Sequence, residues 1–356
     1  MSQDPSAGNP TDDALPLVSV VIPIYNAAPT LAAVIDSLLA QTYPNVEVIA
    51  IDDGSSDGTR DVLARYGSRI RAVSRPNRGL AFTRNEGNAM ARGSLIALMD
   101  HDDISMPERI GVQVELMRQR PDVLLCSSEF SAFTEAGPVA QAFASRYYAM
   151  LANWPGGITA LYGHEDAVDL SRWASAHQPA TATPVYSGHV YLPLVQGNFV
   201  HPPTVMFRRS LLDICDGFDE SLRNMCDWEW LVRVARCGPF AHIDRPLLDY
   251  RLSQTQLSGP LHRAEAGRDI VRIREGCVRA DPSLKELWGG ELRKRHALAC
   301  LSAADAHADS DRPEALRMLG KALAGGALGT RWFKVLAKVA VPGAALRWWR
   351  ARRTPA

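Results

Sequence analysis

The sequence has no Cys-x-x-Cys pair, no apolar run near the roughly 18 residues of a membrane span, and no Gly-x-Gly-x-x-Gly after its first apolar segment. Each absence excludes something. The six cysteines (Cys126, Cys215, Cys226, Cys237, Cys277, Cys300) form no disulfide framework and have no metal-ligand spacing, so reduced, mostly buried thiols in a reducing compartment are expected. The opening MSQDPSAGNPTDDALP is polar and acidic and lacks the apolar core of a signal peptide. A protein that is cytosolic, or that lies on a membrane, is the expectation. The missing glycine fingerprint argues against a dinucleotide oxidoreductase. A formal net charge of zero gives no sign of a nucleic-acid partner.

What is present suits a folded enzyme-sized chain. Its 356 residues, 46% hydrophobic and 22% charged, can bury one large α/β domain plus an appendage, or two modest domains. The neutrality hides an asymmetry. From Ala315 to Ala356 there are nine Lys or Arg and no acid, leaving 30 basic and 39 acidic residues in the rest. A basic tail on an acidic body points to an anionic surface as partner for the tail.

Residues 1–16 read as a disordered leader. Val18-Ser-Val-Val-Ile-Pro23 then predicts a buried strand, and Thr30 to Gln41 a helix with Leu31, Val34, Ile35, Leu38 and Leu39 on one stripe. Val46–Ile51 predicts a second strand that stops at Asp52-Asp53-Gly54, followed by a helix near 59–66. A third strand is expected near Ile70–Ser74 and a fourth at Ser94–Met99, with a helix carrying Arg84 and Asn85 between them. This alternation predicts a mainly parallel sheet with helices on both faces. Ligands of such sheets sit beyond the carboxyl ends of the strands. Those ends carry Asn26, then Asp52 and Asp53, then Asp100, Asp102 and Asp103.

Residues 131–195 are irregular and read as an insertion over the site. Residues 262–330, rich in Ala, Leu and Arg, read as a helical appendage. Within the insertion, Trp154, Tyr162, Trp173 and Tyr186 either stack on sugar rings or form a small satellite core. His201 and Asn198 either shape a ligand pocket or serve structural hydrogen bonds. On a helix over 331–341, Arg331, Lys334 and Lys338 share one face, and Trp332, Val335, Leu336 and Val339 the other. Leu346–Arg353 mixes tryptophan with arginine. Together they suit the headgroup region of an anionic membrane, the favoured reading, or docking of the apolar face on the chain itself.

Asp100-His101-Asp102-Asp103 places three carboxylates in four residues after a buried strand. They repel one another unless a cation or hydrogen bonds hold them. Mn²⁺ or Mg²⁺ accepts such an incomplete oxygen cage and is completed by substrate phosphates. An acidic turn capping the helix near Met106-Pro107-Glu108 is the plainer alternative. Asp52–Thr59 is equally open between a capping turn and a hydrogen-bonding site for a base or ribose.

Taken together, the stretches Val18–Asn26, Asp52-Asp-Gly-Ser-Ser-Asp-Gly-Thr59, Asn77-Arg-Gly79 with Arg84-Asn85, and Met99-Asp-His-Asp-Asp-Ile-Ser-Met-Pro107 resemble the family 2 glycosyltransferases, which have a GT-A fold. The resemblance continues more weakly through His201–Arg208, Gly217-Phe-Asp-Glu220 and Cys226-Asp-Trp-Glu-Trp-Leu231, covering roughly residues 17–258 with 131–195 outside it. It implies a GT-A domain over 17–260 and a helical appendage over 261–356. It also implies an inverting transfer of sugar from a nucleotide diphosphate sugar to a glycan or lipid-linked acceptor, as in surface polysaccharide assembly.

By that resemblance the turn holding Pro23, Tyr25 and Asn26 lines the nucleotide pocket, Asp53 contacts the base, and Arg84 approaches the diphosphate. Asp100 and Asp102 match the family's Asp-x-Asp pair, touching the nucleotide sugar and Mn²⁺ or Mg²⁺, with Asp102 the direct metal ligand. Asp227 matches the catalytic base, although it could also cap the helix that follows. One departure stands out. Many relatives place a His after the Tyr-Arg near the domain's end, where this chain has Ser253, leaving Arg251 as a phosphate partner. The expected location is cytoplasmic, peripheral on the inner face of the membrane through residues 327–356. The competing functions are a sugar-nucleotide-forming nucleotidyltransferase, which would want a Gly-rich phosphate loop, and a catalytically inactive nucleotide- or glycan-binding module of the same fold.

Overall fold

The structure is a computed structural model and describes residues 15–173, 182–253, 263–288 and 290–340. Its centre forms where the apolar, β-branched runs lie. Strands β1 (Val18–Ile24), β2 (Val46–Asp52), β3 (Arg71–Ser74) and β4 (Leu95–Leu98) run parallel in the order β3-β2-β1-β4. Every residue of β1 is buried, as expected of a strand covered on both faces. The helix Leu31–Leu39 lays Leu31, Val34, Ile35 and Leu38 against the Val18, Val20 and Ile22 side, as the predicted stripe has it, while Leu39, also placed on that stripe, is exposed. The helix Leu80–Met90 covers the Val21, Ile49 and Ile51 side.

That second contact depends on Gly87. A Cβ built there would lie 2.3 Å from Val21 Cγ1, closer than packed carbons tolerate. Gly87→Ala is therefore expected to cost about 1–3 kcal/mol, read as a lower urea midpoint at unchanged slope.

Among the described residues the sheet has eleven strands. After β5 (Ile104–Ser105) come β6 (Leu125–Thr134), β7 (Gly137–Ala140), β8 (His164–Val168), β9 (Thr183–Gly188), β10 (Met206–Arg208) and β11 (Phe240–Arg251). The order beyond β4 is β10-β6-β11-β9-β8, with β10 antiparallel to both neighbours and β6 parallel to β11. The sheet is thus mostly parallel with antiparallel insertions.

Residues 131–195 are only partly the cover the sequence suggests. β8 and β9 extend the sheet edge beyond β11, while the helices Ala144–Tyr147 and Ala149–Asn153 turn back toward the strand ends. The four aromatics singled out there pack inward. Tyr162 meets Phe199 and His242, Tyr186 stacks near His242, Trp173 meets Tyr43 edge-on, and Trp154 packs against the core. They join the two main apolar clusters rather than a separate satellite core.

The appendage is helical, with Arg263–Ala280, Leu284–Trp288, Glu291–His307, Arg312–Ala324 and Thr330–Ala340. Its own core gathers Val271, Leu301, Met318, Leu319, Val335 and Val339. This corrects the membrane expectation for the helix Thr330–Ala340. Its apolar face packs on the neighbouring helices, Trp332 donates to the Leu319 carbonyl at 3.1 Å, and Lys338 pairs with Asp305 at 3.1 Å. An amphipathic pattern is the same for lipid and for protein, so the sequence could not choose. Pro342 and the tail Leu346–Arg353 lie outside the described residues. Among the described residues, no helix is long and apolar enough to cross a membrane. All six cysteines are free thiols, with Cys126, Cys226 and Cys300 buried.

Candidate active site

Turn residues at the carboxyl ends of β1 to β3 tie these ends together. Asn26 takes a left-handed backbone (φ 49), which asparagine tolerates better than most residues. Its N–H donates to Ser55 Oγ at 2.8 Å, and its Oδ1 accepts from the Ser56 N–H at 2.9 Å. Asp57 accepts from the Ala28 and Thr59 N–H groups at 3.0 Å each. Pro23 lies within β1, and its carbonyl is 3.2 Å from His101 Nδ1. Tyr25 projects into solvent, 47% exposed. The Asp52–Thr59 stretch is therefore both a capping turn and the floor of a polar rim.

Asp53 is buried just past β2. Its two oxygens accept from the Arg78 and Gly79 N–H groups at 2.7 and 2.8 Å, and Arg75 pairs with it. The side chain thus anchors the 75–79 loop beside the rim. Asp52 behind it is wholly buried. Burial alone would raise its pKa, but hydrogen bonds from Ser55 and Arg60 bring it below the usual value.

At the end of β4, Asp100 accepts from Arg84 Nη2 at 3.0 Å, with its own side chain 32% exposed. Arg84 rises from the helix Leu80–Met90 and is nearly inaccessible. Burial would lower its pKa, yet Asp100 first, with Asp227 beside it, raises it. Asp227, in the first turn of the helix Cys226–Val234, lies within the field of the same guanidinium. Its pKa is raised, first by burial and further by Asp100, against the pull of Arg84. Met225 holds the cap position of this helix and Asp227 lies inside it, so the capping role foreseen for Asp227 is not seen.

Asp102 is also raised, mainly by burial, with Asp100 adding repulsion and His101 opposing. Asp103 is fully buried and pushed well up by burial, Asp102 and Asp100. Its Oδ1 accepts from the Arg251 N–H at 3.0 Å, and Oδ2 has no hydrogen-bond partner among the described residues. Arg251 also donates to the Asp102 carbonyl at 2.9 Å, so it holds the acidic turn in place. The next helix begins at Arg109 with Glu108 at its cap position, so the three carboxylates do not cap it. Oxygen donors of like charge gathered in one turn fit a hard divalent cation. Asp100 and Asp102 would hold it.

Within the field of Asp100 and Arg84 lies His201, stacked 4.2 Å from Phe130 and edge-on to Tyr250 at 4.7 Å. Its Nδ1 is 3.0 Å from the Tyr148 hydroxyl, and burial pulls its pKa down to about 3, so the ring is neutral. Asn198 instead serves the backbone, accepting from the Val200 N–H at 3.1 Å. Tyr148 is raised by burial first, then by the charges of Tyr147 and Asp227. Tyr147 and Tyr148 are site residues that sequence reasoning missed. The adjacent tyrosine pair was visible, but no periodicity marks which aromatics of the insertion face the strand ends.

The geometry thus brings Arg84, Asp100, Asp102, Asp227 and His201 to one place, with the Asn26 and Asp53 turns on its rim. Residues 19–163 match the family described as Glycosyl transferase family 2. The chain carries a family 2 glycosyltransferase domain. The family match enters the stretch from 131 that the sequence reading set outside the resemblance.

Among relatives of this glycosyltransferase domain, an uncharacterized glycosyltransferase of Rickettsia felis is 38% identical over 284 residues, 78% of this chain and 40% of that protein. Chondroitin synthase of Pasteurella multocida is 27% identical over 235 residues, 65% of this chain and 20% of that protein. The match spans only 40% and 33% of the first two Rickettsia relatives. In fold, the domain with its appendage is similar to S. aureus TarS 1-349 in complex with UDP-GlcNAc, at TM-score 0.56 and 16% identity over 91% of this chain and 88% of that one. A mannosyltransferase from Pyrobaculum calidifontis in complex with GDP-Man and Mn²⁺ gives TM-score 0.53 and 19% identity over 99% of this chain and 86% of that one. These likenesses are of fold, and the fold is of the GT-A type.

Proposed function

We propose that the chain is an inverting, metal-dependent glycosyltransferase that moves a sugar from a nucleotide diphosphate sugar to a glycan or lipid-linked hydroxyl in surface polysaccharide assembly. The observation that carries this reading is the Asp100 carboxylate bonded at 3.0 Å to the buried Arg84 guanidinium, with Asp227 near enough to both for their charges to act on it. Two roles are thereby kept apart in one small volume. Relatives named for chondroitin and hyaluronan synthesis and for teichuronic acid biosynthesis support the polymer-forming class.

The rim of Pro23, Tyr25, Asn26 and Asp53 receives the nucleotide. Asp100 and Asp102 would hold Mn²⁺ or Mg²⁺, which would supply positive charge where the diphosphate leaves. Arg84 keeps Asp100 and Asp227 from repelling each other and holds Asp100 in place. Asp227 is the base. The acceptor hydroxyl donates its proton to the Asp227 carboxylate as its oxygen bonds to the anomeric carbon. The bond from that carbon to the phosphate oxygen breaks, and its electron pair goes to the diphosphate. A single displacement inverts the anomeric centre. The neutral His201 and Tyr148 supply polar atoms without adding charge.

The test is a panel of nucleotide sugars, with release of nucleoside diphosphate followed in Mn²⁺ and in EDTA, and product anomers assigned by NMR. Metal-dependent release with inverted product supports the reading. Tight binding without any release with a competent acceptor would instead favour the inactive binding module.

The tail completes the proposal. With the apolar face of Thr330–Ala340 already packed, the basic, Trp-bearing stretch 346–353 is the part left to seek an anionic membrane at the cytoplasmic face. Deleting residues 343–356 should release the protein from anionic vesicles in a sedimentation assay. Unchanged sedimentation would remove the membrane role.

A further inference from the structure

The pair of strands that supports His201 carries a second polar group, on its opposite face. β6 and β11 are parallel, with His242 in register with Ser127. Residues two apart on a strand share a face, so Glu129 and Asp244 follow Ser127 and His242 on one side, while Phe130 points to the other. A ring nitrogen of His242 and carboxylate oxygens of Glu129 and Asp244 all lie within 4.8 Å of one another. The pairing of β11 with β6 is irregular between Ile243 and Pro246, a bulge that leaves Asp244 at the surface.

His242 is the informative member. It is only 3% exposed, its Nδ1 is 3.1 Å from Ser127 Oγ, and its Nε2 has no hydrogen-bond partner among the described residues. A buried ring nitrogen left without a partner is costly unless something binds it. Glu129 is also buried. Its Oε1 accepts from the Phe130, Phe143 and Ala144 N–H groups at 2.8, 3.0 and 2.8 Å.

We propose that Glu129, His242 and Asp244 bind a zinc-class divalent cation, at a site separate from Asp100 and Asp102. One imidazole nitrogen with two carboxylates suits Zn²⁺, whereas Mg²⁺ prefers oxygen alone. The exposed Asp244 supplies the way in. The ion's role is to brace. Glu129 holds the backbone that begins the helix Ala144–Tyr147, and this helix delivers Tyr147 and Tyr148 to the active site. Phe130, beside Glu129, is the ring on which His201 stacks. Fixing Glu129 therefore fixes one wall of the site without touching substrate. Zn²⁺ binding itself does not depend on the proposed reaction.

The experiment uses the full chain with Asp100→Asn and Asp102→Asn, which empties the other cation position. Equilibrium dialysis against Zn²⁺ should leave one ion per chain, and Co²⁺ in its place should give a visible absorption band. Adding His242→Ala or Asp244→Asn should each weaken Zn²⁺ retention by more than the ~10–100-fold that loss of an outer partner costs. Asp244 is exposed, so its variant reports even if His242→Ala fails to fold. No retained Zn²⁺ in the Asp100/Asp102 variant, or retention undiminished by Asp244→Asn, overturns the proposal.

Discussion

Asp227→Asn should lower the turnover number by about 10²–10⁴-fold while nucleotide binding stays nearly intact. Asparagine keeps the shape beside Arg84 but cannot take the acceptor's proton. The pH dependence follows from the same environment. Burial first, and Asp100 second, lift the Asp227 pKa, with Arg84 opposing. A base must be ionised to act, so activity falls as pH drops through that raised value, above the ordinary carboxylate value of about 3.9. The acid limb of kcat against pH checks this in the parent, and its loss together with turnover checks the variant. Normal turnover in Asp227→Asn would remove Asp227 from the role of base.

Arg84→Met should have the second largest effect, through two readouts. Removing one partner of a buried ion pair costs about 3–5 kcal/mol, so the urea midpoint should fall markedly. Arg84 is also the group that lowers the Asp227 pKa, so its loss should move the acid limb to higher pH. Arg84→Lys is the informative control. A lysine restores charge but not the planar fork that spans toward both Asp100 and Cys226. It should recover part of the stability and part of the shift. An acid limb at the same pH in the parent and in Arg84→Met would break the link between Arg84 and Asp227.

Strands β1, β2 and β4 were readable because buried parallel strands are written as nearly continuous apolar runs, whereas β3, Arg71-Ala-Val-Ser74, is short and only partly buried. Each of those runs stops at a polar turn, and so the acidic groups at their ends were readable too. The far half was not. His164–Val168 is mostly exposed and carries no alternation, so only its pairing with β9, itself held by β11, makes it a strand. Tyr147 and Tyr148 reach the site through two short helices whose placement depends on Glu129, a contact between residues that are not neighbours in sequence. The same holds for Arg84. The sequence reading has it approach the diphosphate; its burial and closure against Asp100 depend on how a helix packs on β1 through Gly87. Local pattern names the groups; packing decides what they touch.

The most direct measurement is thermal shift with a panel of nucleoside diphosphates, in Mn²⁺ and then in EDTA, for the parent chain and for Asp102→Asn. The account predicts a rise in Tm for one base in Mn²⁺ only, lost in EDTA and lost in Asp102→Asn. No rise with any nucleotide, or a rise that survives both EDTA and Asp102→Asn, would contradict a metal-assisted donor site at the end of β4.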